Sequence, residues 1–431
     1  MDQPPVTGTG GGDPDPFLGT TALKPMRLAF LTHEPFHPPT GGGSAEARRL
    51  VEEFRRRGHE VEVFAPDGED RAGVEQALGI RWHVFRSWRM GRFTRWRTLK
   101  YLLYPAALAR MVRRVNAGAA PFDALFCQHT IASVAGGMLK RRLGWPVVMN
   151  FLDFLTGFVA AWPAFSFPRL FLGPLNRFEV TLPVRARADG VLTVSESLAR
   201  RLIEAGYPAE RTLPIQYGYD ARAFAFRETD VARRLQGPPV VVMHGSFDQH
   251  HLGPVALETM SRVHALRPDV RFRLVGRLTP ALRRFLAQAG ARGLTEAIEH
   301  RPFVPYDQVA DALRDGRVGL VPYEGTPGTH CAFVAKAVEY LGLGMPVAST
   351  RLEAIAAWFR DEPLIRFADF TGEALAAAVV EWLEAPADRL AAWGRAAAAR
   401  TARELDWPVV AARAVDFVEP LLGSKPTENG A

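Results

Sequence analysis

Cysteine is nearly missing from this chain. Its 431 residues hold two, Cys127 and Cys331, far apart and outside any Cys-x-x-Cys or Cys/His spacing. That argues against a disulfide framework and a zinc site, and it fits a reducing compartment. Long apolar runs are missing too. The longest, around Leu155 to Leu175, is broken by Pro163, Pro168, Arg169 and Pro174, so no spanning helix is expected. Residues 1–25 are rich in Gly, Pro, Asp and Thr and lack the apolar core of a secretory signal, so a disordered tail is expected there. Carboxylates are absent between Arg81 and Arg114, which leaves that stretch with charge of one sign.

What is present points to a two-domain globular protein. The length exceeds one ordinary core, and 48 % of the residues are hydrophobic. The net charge of +7 comes from 53 basic against 46 acidic residues and is locally uneven. Residues 86–114 interleave Arg86, Arg89, Arg92, Arg95, Arg97, Lys100, Arg110, Arg113 and Arg114 with Trp88, Phe93, Trp96, Tyr101 and Tyr104. Aromatic rings at headgroup level and cations on lipid phosphates make an anionic membrane surface the expected partner. The same pattern suits nucleic acid, but no recognition motif accompanies it, and no nucleic-acid partner is expected. A half-buried amphipathic helix solvated by its arginines is the plainer alternative.

Alternation of short apolar runs with helical periodicity sets the fold class. Arg27 to Thr32 reads as a strand, the triplet Gly41 to Gly43 as a glycine loop, Ala45 to Arg57 as a helix stopped by Gly58, and Val61 to Ala65 as the next strand. Further strands are expected at 124–127, 147–151 and 190–194, with Ser195 capping a helix. A polar stretch from Asp220 to Gly237-Pro238-Pro239 reads as a linker. The alternation then restarts at Val240 to His244, with a glycine turn at Gly245 and strands near 272–276, 298–301 and 318–322. Two such blocks predict an α/β protein of two facing, Rossmann-like, doubly wound domains with an interdomain cleft. The expected domains are 26–225 and 238–404, with an amphipathic helix near 405–422 packing back on the first.

Residues 336 to 350 carry the most chemistry. Lys336, Glu339 and Tyr340 fall within about one helical turn, and Gly342-Leu343-Gly344 ends that helix before a strand. Its start offers backbone N–H groups to an anion, Lys336 adds a cation, and Glu339 can accept from a sugar hydroxyl, as a nucleotide diphosphate sugar requires. A surface helix with an i,i+3 ion pair has the same spacing.

Four segments in order resemble the GT-B fold glycosyltransferases, in particular the retaining enzymes of glycosyltransferase family 4 (group 1). They are FLTHEPFHPPTGGGSAEARRLVEEFRRRGHEVEVFAP, ADGVLTVSESLARRLIEAGYPAERTLPIQYGYDARAF, VVVMHGSFDQHH with RFRLVGR, and VGLVPYEGTPGTHCAFVAKAVEYLGLGMPVAST. The resemblance implies a donor nucleotide on the C-terminal domain and an acceptor on the N-terminal one. It implies that Glu339 accepts from the donor ribose, that Lys336 meets the donor phosphates, and that N–H groups near Phe333, Val334 and Ala335 bind the diphosphate. Gly42 and Gly43 would let backbone approach the transferred sugar and phosphate, with Gly245 as the matching turn in the second domain. Tyr217 to Asp220 resembles a structural hinge, and Asp153 the acceptor-side aspartate of a His-Asp pair.

The departures bear on the chemistry. The family usually has a Glu eight residues before Glu339, where this chain has Cys331; the His of the His-Asp pair is Leu152; and two expected cations fall near Ser246 and Leu252. His250 and His251 are the nearby substitutes for them. The implied activity is transfer of a sugar from a nucleoside diphosphate sugar, as co-substrate, to a glycan or lipid-linked acceptor hydroxyl. Retention, no cofactor and no metal are expected, in cell-envelope polysaccharide or glycoconjugate biosynthesis in the cytoplasm or peripherally on the inner face of the membrane. Two alternatives remain open: a sugar-nucleotide epimerase or hydrolase using Asp153 with His33 or His129 as acid/base groups, and a non-catalytic glycan-binding member.

Overall fold

The structure, a computed structural model, describes residues 24–39, 42–85, 97–160 and 169–423, with backbone alone for 97–102. Residues 1–23 of the expected tail, Gly41, Pro163, Pro168 and the Arg86 to Trp96 part of the basic aromatic segment lie outside the described residues.

The chain opens with β1 (Arg27–Leu31), α1 (Gly42–Arg56), β2 (Glu60–Ala65), α2 (Arg71–Leu78) and β3 (Arg81–Val84). A long helix, α3 (Arg97–Ala117), leads to β4 (Ala124–Gln128), α4 (His129–Leu143) and β5 (Val147–Phe151). Three short helices, α5 (Leu155–Val159), α6 (Leu172–Val180) and α7 (Leu182–Ala186), precede β6 (Gly190–Thr193), α8 (Glu196–Glu204) and β7 (Thr212–Pro214). These strands form one parallel sheet in the order β3-β2-β1-β4-β5-β6-β7. The central strands are buried along their length, which is why they read as continuous apolar runs.

The second block begins after α9 (Glu228–Gln236). It runs β8 (Val240–His244), α10 (Pro254–Leu266), β9 (Arg271–Val275), α11 (Pro280–Ala291), β10 (Ile298–Arg301) and α12 (Tyr306–Leu313). Then come β11 (Val318–Val321), α13 (Pro327–Cys331), α14 (Ala335–Gly342), β12 (Val347–Thr350), α15 (Glu353–Trp358) and β13 (Ile365–Ala368). Three helices close the chain: α16 (Gly372–Glu384), α17 (Ala387–Leu405) and α18 (Trp407–Gly423). Its sheet is again all parallel, β10-β9-β8-β11-β12-β13. In each sheet the order reverses beside the first strand, between β1 and β4 and between β8 and β11. Ligands bind outside the strand ends at such switch points.

Three local expectations change. Gly42 and Gly43 lie in the first turn of α1 rather than in a loop before it. The basic stretch from Arg81 begins with a strand, β3. The stretch read as a linker carries α9, which is docked rather than free. Arg234 on α9 donates to the carbonyls of Arg314, Leu343 and Gly344, and Arg314 pairs with Asp230 at 2.9 Å. Burial pushes the Arg234 guanidinium down to about 10, with Asp230 opposing, so it stays charged while its donors meet three carbonyls.

The two crossings between sheets are joined. Tyr219 N–H donates to Leu405 O and Trp407 N–H to Tyr219 O, both at 3.0 Å. Beyond them α18 returns to lie on α1. There Arg57 bonds Glu53 and Glu419 at 2.7 Å and the Ala412 carbonyl at 3.0 Å, while His59 Nε2 donates to Glu419 at 2.7 Å. No helix among the described residues is long and apolar enough to cross a membrane. Removing Arg57 leaves Glu53 and Glu419 facing each other without their shared cation. Arg57→Ala is therefore expected to cost about 2 kcal/mol and to speed amide exchange in α18 about 30-fold. Unchanged exchange over residues 407–423 would show that α18 does not depend on this network.

Candidate functional site

The C-terminal side of the cleft is built on α14. Its N-cap, Val334, makes no side-chain capping bond, so the first N–H groups are left for another partner. Phe333 and Val334 are buried and fix that start from below, Phe333 with its ring 6.0 Å from Phe359 and 6.1 Å from Trp358. Glu339 and Tyr340 face β8. His244 Nε2 lies 2.6 Å from Glu339 Oε2 and His244 Nδ1 3.0 Å from the Tyr340 hydroxyl. His244, which the sequence reading did not single out, thus orients the carboxylate at the end of the switch-point strand. Gly344, at φ 61, supplies the left-handed turn that ends α14.

Lys336 reaches across to the β8 turn. Its ammonium donates to the Tyr323 hydroxyl at 2.8 Å and stands 3.3 Å from His251 Nε2. Gly245 has φ 110, a conformation that favours glycine, and a Cβ there would lie 2.9 Å from Lys336 Cε and push that side chain aside. His251 Nδ1 accepts the Asp248 N–H at 3.2 Å and its Nε2 meets the Tyr323 hydroxyl at 2.8 Å. With both ring nitrogens engaged by the protein, His251 holds Tyr323 in place rather than presenting an imidazolium to a phosphate. The His250 ring lies tilted against His251 with centroids 4.2 Å apart and reaches Phe158 of the first domain at 5.2 Å. Asp248, His250 and His251 bring their ligand atoms within 4.8 Å of one another. The sequence reading saw no metal cluster. Because the amide bond occupies Nδ1 of His251 and Tyr323 faces its Nε2, this arrangement offers a metal ion little from that residue.

A second helix start is closed. Glu324 Oε1 accepts the Val255 N–H at 2.9 Å at the head of α10, and a Cβ on Gly253 would collide with that carboxylate. Burial raises the Glu324 pKa, with the Val255 N–H opposing. The places where two cations were expected, near Ser246 and Leu252, therefore border a helix terminus that a carboxylate of this chain already fills.

The N-terminal side gathers acids and a histidine. Glu34, after β1, lies 3.5 Å from His129 Nε2, at the head of α4. A Cβ on Gly43 would collide with both, and His129 itself sits at φ 67, a strained conformation of the kind found where function over-determines the backbone. Burial pushes the His129 imidazole down, but Glu34, Asp153 and Glu46 more than offset it and the net shift is upward. Glu46 is buried, accepts from Asn150 at 2.6 Å, and is pushed up to about 7 chiefly by burial. Asp153 is exposed at this rim. Tyr217, beside Gly42, has its phenol raised by burial first and then by Glu46, Glu339, Glu34 and Asp153, so it lies in the field of both sides of the cleft.

The domains touch at α13. Gly157 and Gly328 meet backbone to backbone, and a Cβ on either would lie 2.5 Å from a main-chain nitrogen opposite. Ser195, the expected cap of α8, accepts Leu198 N–H and donates to the Cys331 carbonyl at 2.6 Å. Ser197 donates to the His330 carbonyl at 3.2 Å, and Arg201 Nε to Cys331 Sγ at 3.3 Å. Cys331 and Cys127 are both free and buried.

Known proteins share this arrangement. Residues 41–218 match the glycosyl transferase 4-like domain, and residues 256–416 match a glycosyl transferase-like domain. The chain belongs to the group 1, GT4-like glycosyltransferases. No curated protein matches it in sequence. Among solved structures it is similar to the sucrose-phosphate synthase of Thermosynechococcus elongatus, at 17 % identity and a TM-score of 0.75 over 93 % of this chain and 100 % of that one. The HepE protein of Anabaena in complex with UDP and glucose shares 17 % identity, with a TM-score of 0.67 over 92 % and 100 %. A putative UDP-N-acetylglucosamine 2-epimerase from Listeria monocytogenes shares 13 %, with a TM-score of 0.56 over 95 % and 100 %. These likenesses support the fold: two Rossmann-like domains in the GT-B arrangement.

In this glycosyltransferase the fold gathers Lys336, Glu339, Gly245, His250 and His251 on one wall, and Gly42, Gly43 and Asp153 on the other. His244, Tyr323, Glu324, Glu34 and Glu46 lie inside the segments that carry the resemblance but were not singled out, and Tyr217 was read only as part of a hinge. Their partners come from other segments, and for His244 and Glu34 the available signal was their place at the ends of switch-point strands β8 and β1.

Two measurements probe these walls. Folded Glu46 holds a proton that the unfolded chain loses near pH 4.5, so its contribution to stability falls as pH rises from about 4.5 to 7 and is flat above. Glu46→Gln is expected to remove that slope and raise stability at pH 8 by about 2–3 kcal/mol, read from urea midpoints at pH 5 and 8; an unaltered slope places the titration elsewhere. Gly328→Val is expected to wedge the domains apart and lower turnover about tenfold while donor affinity holds. Wild-type turnover in that variant would mean that the Gly157–Gly328 contact is not part of closure.

Proposed function

We propose that this glycosyltransferase moves a sugar from a nucleoside diphosphate sugar to a hydroxyl of a glycan or lipid-linked acceptor, with retention, in cell-envelope polysaccharide or glycoconjugate assembly. The observation that carries the reading is the juxtaposition on α14. An uncapped helix start, Lys336 beside it and a histidine-oriented Glu339 one turn on all face the second switch point. HepE of Anabaena was solved with UDP and with UDP-glucose, which makes a UDP-sugar the first donor to try.

In this reading Glu339 accepts from the ribose hydroxyls while His244 holds its other side. Charge that builds on the leaving β-phosphate is met by the α14 N–H groups and Lys336. All the positive charge asked for at the diphosphate comes from these protein groups, with no further cofactor. The acceptor hydroxyl is placed by domain closure near Asp153, and the departing phosphate takes its proton, so no side-chain nucleophile is needed. The buried free thiols suit a cytoplasmic setting.

A second reading rests on the Glu34–His129 pair with Asp153 nearby, an acid/base set that an epimerase or hydrolase could use. Release of nucleoside diphosphate across UDP-, GDP-, ADP- and dTDP-sugars, with and without acceptor, separates the two. Acceptor-dependent release supports transfer, and equal release without acceptor overturns it in favour of the second. Within the transfer reading Lys336→Ala is expected to lower kcat about 100-fold, and Glu339→Ala to weaken donor binding at least about tenfold. Unchanged kinetics in both would remove α14 from the donor site.

A further inference from the structure

The chain segregates its charge. Helices α3 and α4 and the stretch 169–187 hold twelve Lys and Arg against a single carboxylate, Glu179, whereas the whole chain carries only +7, so the remainder is in sum acidic. Glu179 does not offset the cations at the surface, because it is buried and accepts from Leu155, Thr156 and Thr130. These segments are contiguous. Helix α3 packs on α4, α4 on α7, and α7 adjoins α6, with Gly137 close enough to Ala186 that a Cβ would lie 2.9 Å away.

Arginines of α1 and its end are ion-paired: Arg48 with Glu52 at 2.9 Å, and Arg57, just past the helix, with Glu53 and Glu419 at 2.7 Å. Among the described residues no carboxylate pairs with Arg110, Arg114, Arg141, Arg142, Arg169 or Arg177, all of them exposed. Apolar side chains share the layer. Of the ten large hydrophobic residues exposed among the described residues, five belong to it: Leu103, Leu143, Leu170, Phe171 and Val184, with Leu170 82 % and Phe171 56 % exposed. A solvated cationic face made only for solubility has no use for Leu170 and Phe171 at its surface.

We infer that the layer of α3, α4, α6 and α7 is a docking face for an anionic phospholipid bilayer, its unpaired arginines on the headgroup phosphates and Leu170 and Phe171 entering the interface. Charge complementarity argues for the occupant: a surface on which Lys140 alone of the counted cations has a carboxylate partner among the described residues, Asp189, is matched by a dense anionic plane, and the apolar pair is matched by lipid rather than by a polyanion. A pocket of about 600 Å³, lined in part by Leu172, Asn176, Val180, Gly157 and Pro327, lies between α6 and the domain contact. The face thus extends from α3, which holds the described part of the basic aromatic stretch, to helices that the sequence pattern did not connect with it.

The test is flotation of the full chain with vesicles of neutral phosphatidylcholine, or of the same lipid with about 30 % phosphatidylglycerol, at low and high salt. About tenfold more protein is expected to float with the anionic vesicles, and salt should release part of it. Arg110→Glu/Arg114→Glu and, separately, Leu170→Ser/Phe171→Ser should each abolish most of that difference. Arg283→Glu/Arg284→Glu on α11, an equal charge change at exposed positions of the other domain, should leave it intact. Failure of the wild type to float, or equal loss in the α11 variant, overturns the inference. So does duplex RNA that strips the protein from vesicles while the Leu170/Phe171 variant floats normally, which would identify a polyanion site. Flotation requires neither donor nor transfer, so its failure leaves the transferase reading standing.

Discussion

Two backbone hydrogen bonds govern how this molecule is put together. Tyr219 and Trp407 tie the outgoing and returning crossings into one short ladder, so the sheets share a single paired hinge rather than two independent tethers. The hinge also reaches the site. The Tyr219 ring packs where a Cβ on Gly342 would collide with it, at the C-terminal end of α14, and Arg234 holds the Leu343 and Gly344 carbonyls of the same end. A guanidinium on terminal carbonyls satisfies orphan acceptors and complements the helix dipole. With that end clamped, the opposite end of α14 has one direction in which to point, and Lys336 and Glu339 go with it.

The cleft is polar along one axis. Its C-terminal wall offers the Lys336 ammonium and the start of α14, which no side chain caps. Its N-terminal wall offers Glu34, Glu46 and Asp153 around one histidine, and the upward shift of His129 against its burial reports that acidic field. Breaking a glycosyl–phosphate bond develops negative charge on phosphate oxygen and positive charge at the sugar carbon. A preorganised field of matching sense stabilises that separation without reorganising at the moment of reaction. Glu324 sharpens the polarity: by filling the head of α10 it leaves the head of α14 as the helix start that is not capped by a side chain next to Lys336.

Legibility from sequence followed the range of each interaction. Strands β1, β5 and β8 were readable almost to the residue, because burial on both faces is a local signal. Ser195 was readable as a cap, but its second bond to Cys331 was not, since 136 residues separate the two. Helix α9 looked like a linker because its burial depends on Arg234 and Asp230, polar residues that only tertiary partners make comfortable inside. The glycines at 42 and 43 were recognised as places of close approach, yet what approaches, Tyr217 and the Glu34–His129 pair, comes from three other segments. Lys336 and Glu339 were legible because they lie on one helix; His244, which orients Glu339, lies 95 residues away.

Cys331 draws these strands together. In the family pattern its position usually carries a carboxylate that touches the transferred sugar, and here a thiol stands there, buried, with its sulfur on Arg201 and its carbonyl on Ser195 of the first domain. Burial raises the thiol's pKa, with Arg201 only partly opposing, so it stays neutral at this contact. A carboxylate placed against the same guanidinium would form an ion pair between the domains, and a closed state held that strongly would be slow to reopen for product release. A neutral sulfur leaves closure to weak contacts: two backbones meeting at Gly157 and Gly328, and two serine hydroxyls on carbonyls. Under the proposed transfer, a Cys331 that serves closure rather than sugar contact leaves donor recognition to α14, whose clamped C-terminal end holds Lys336 and Glu339 in place.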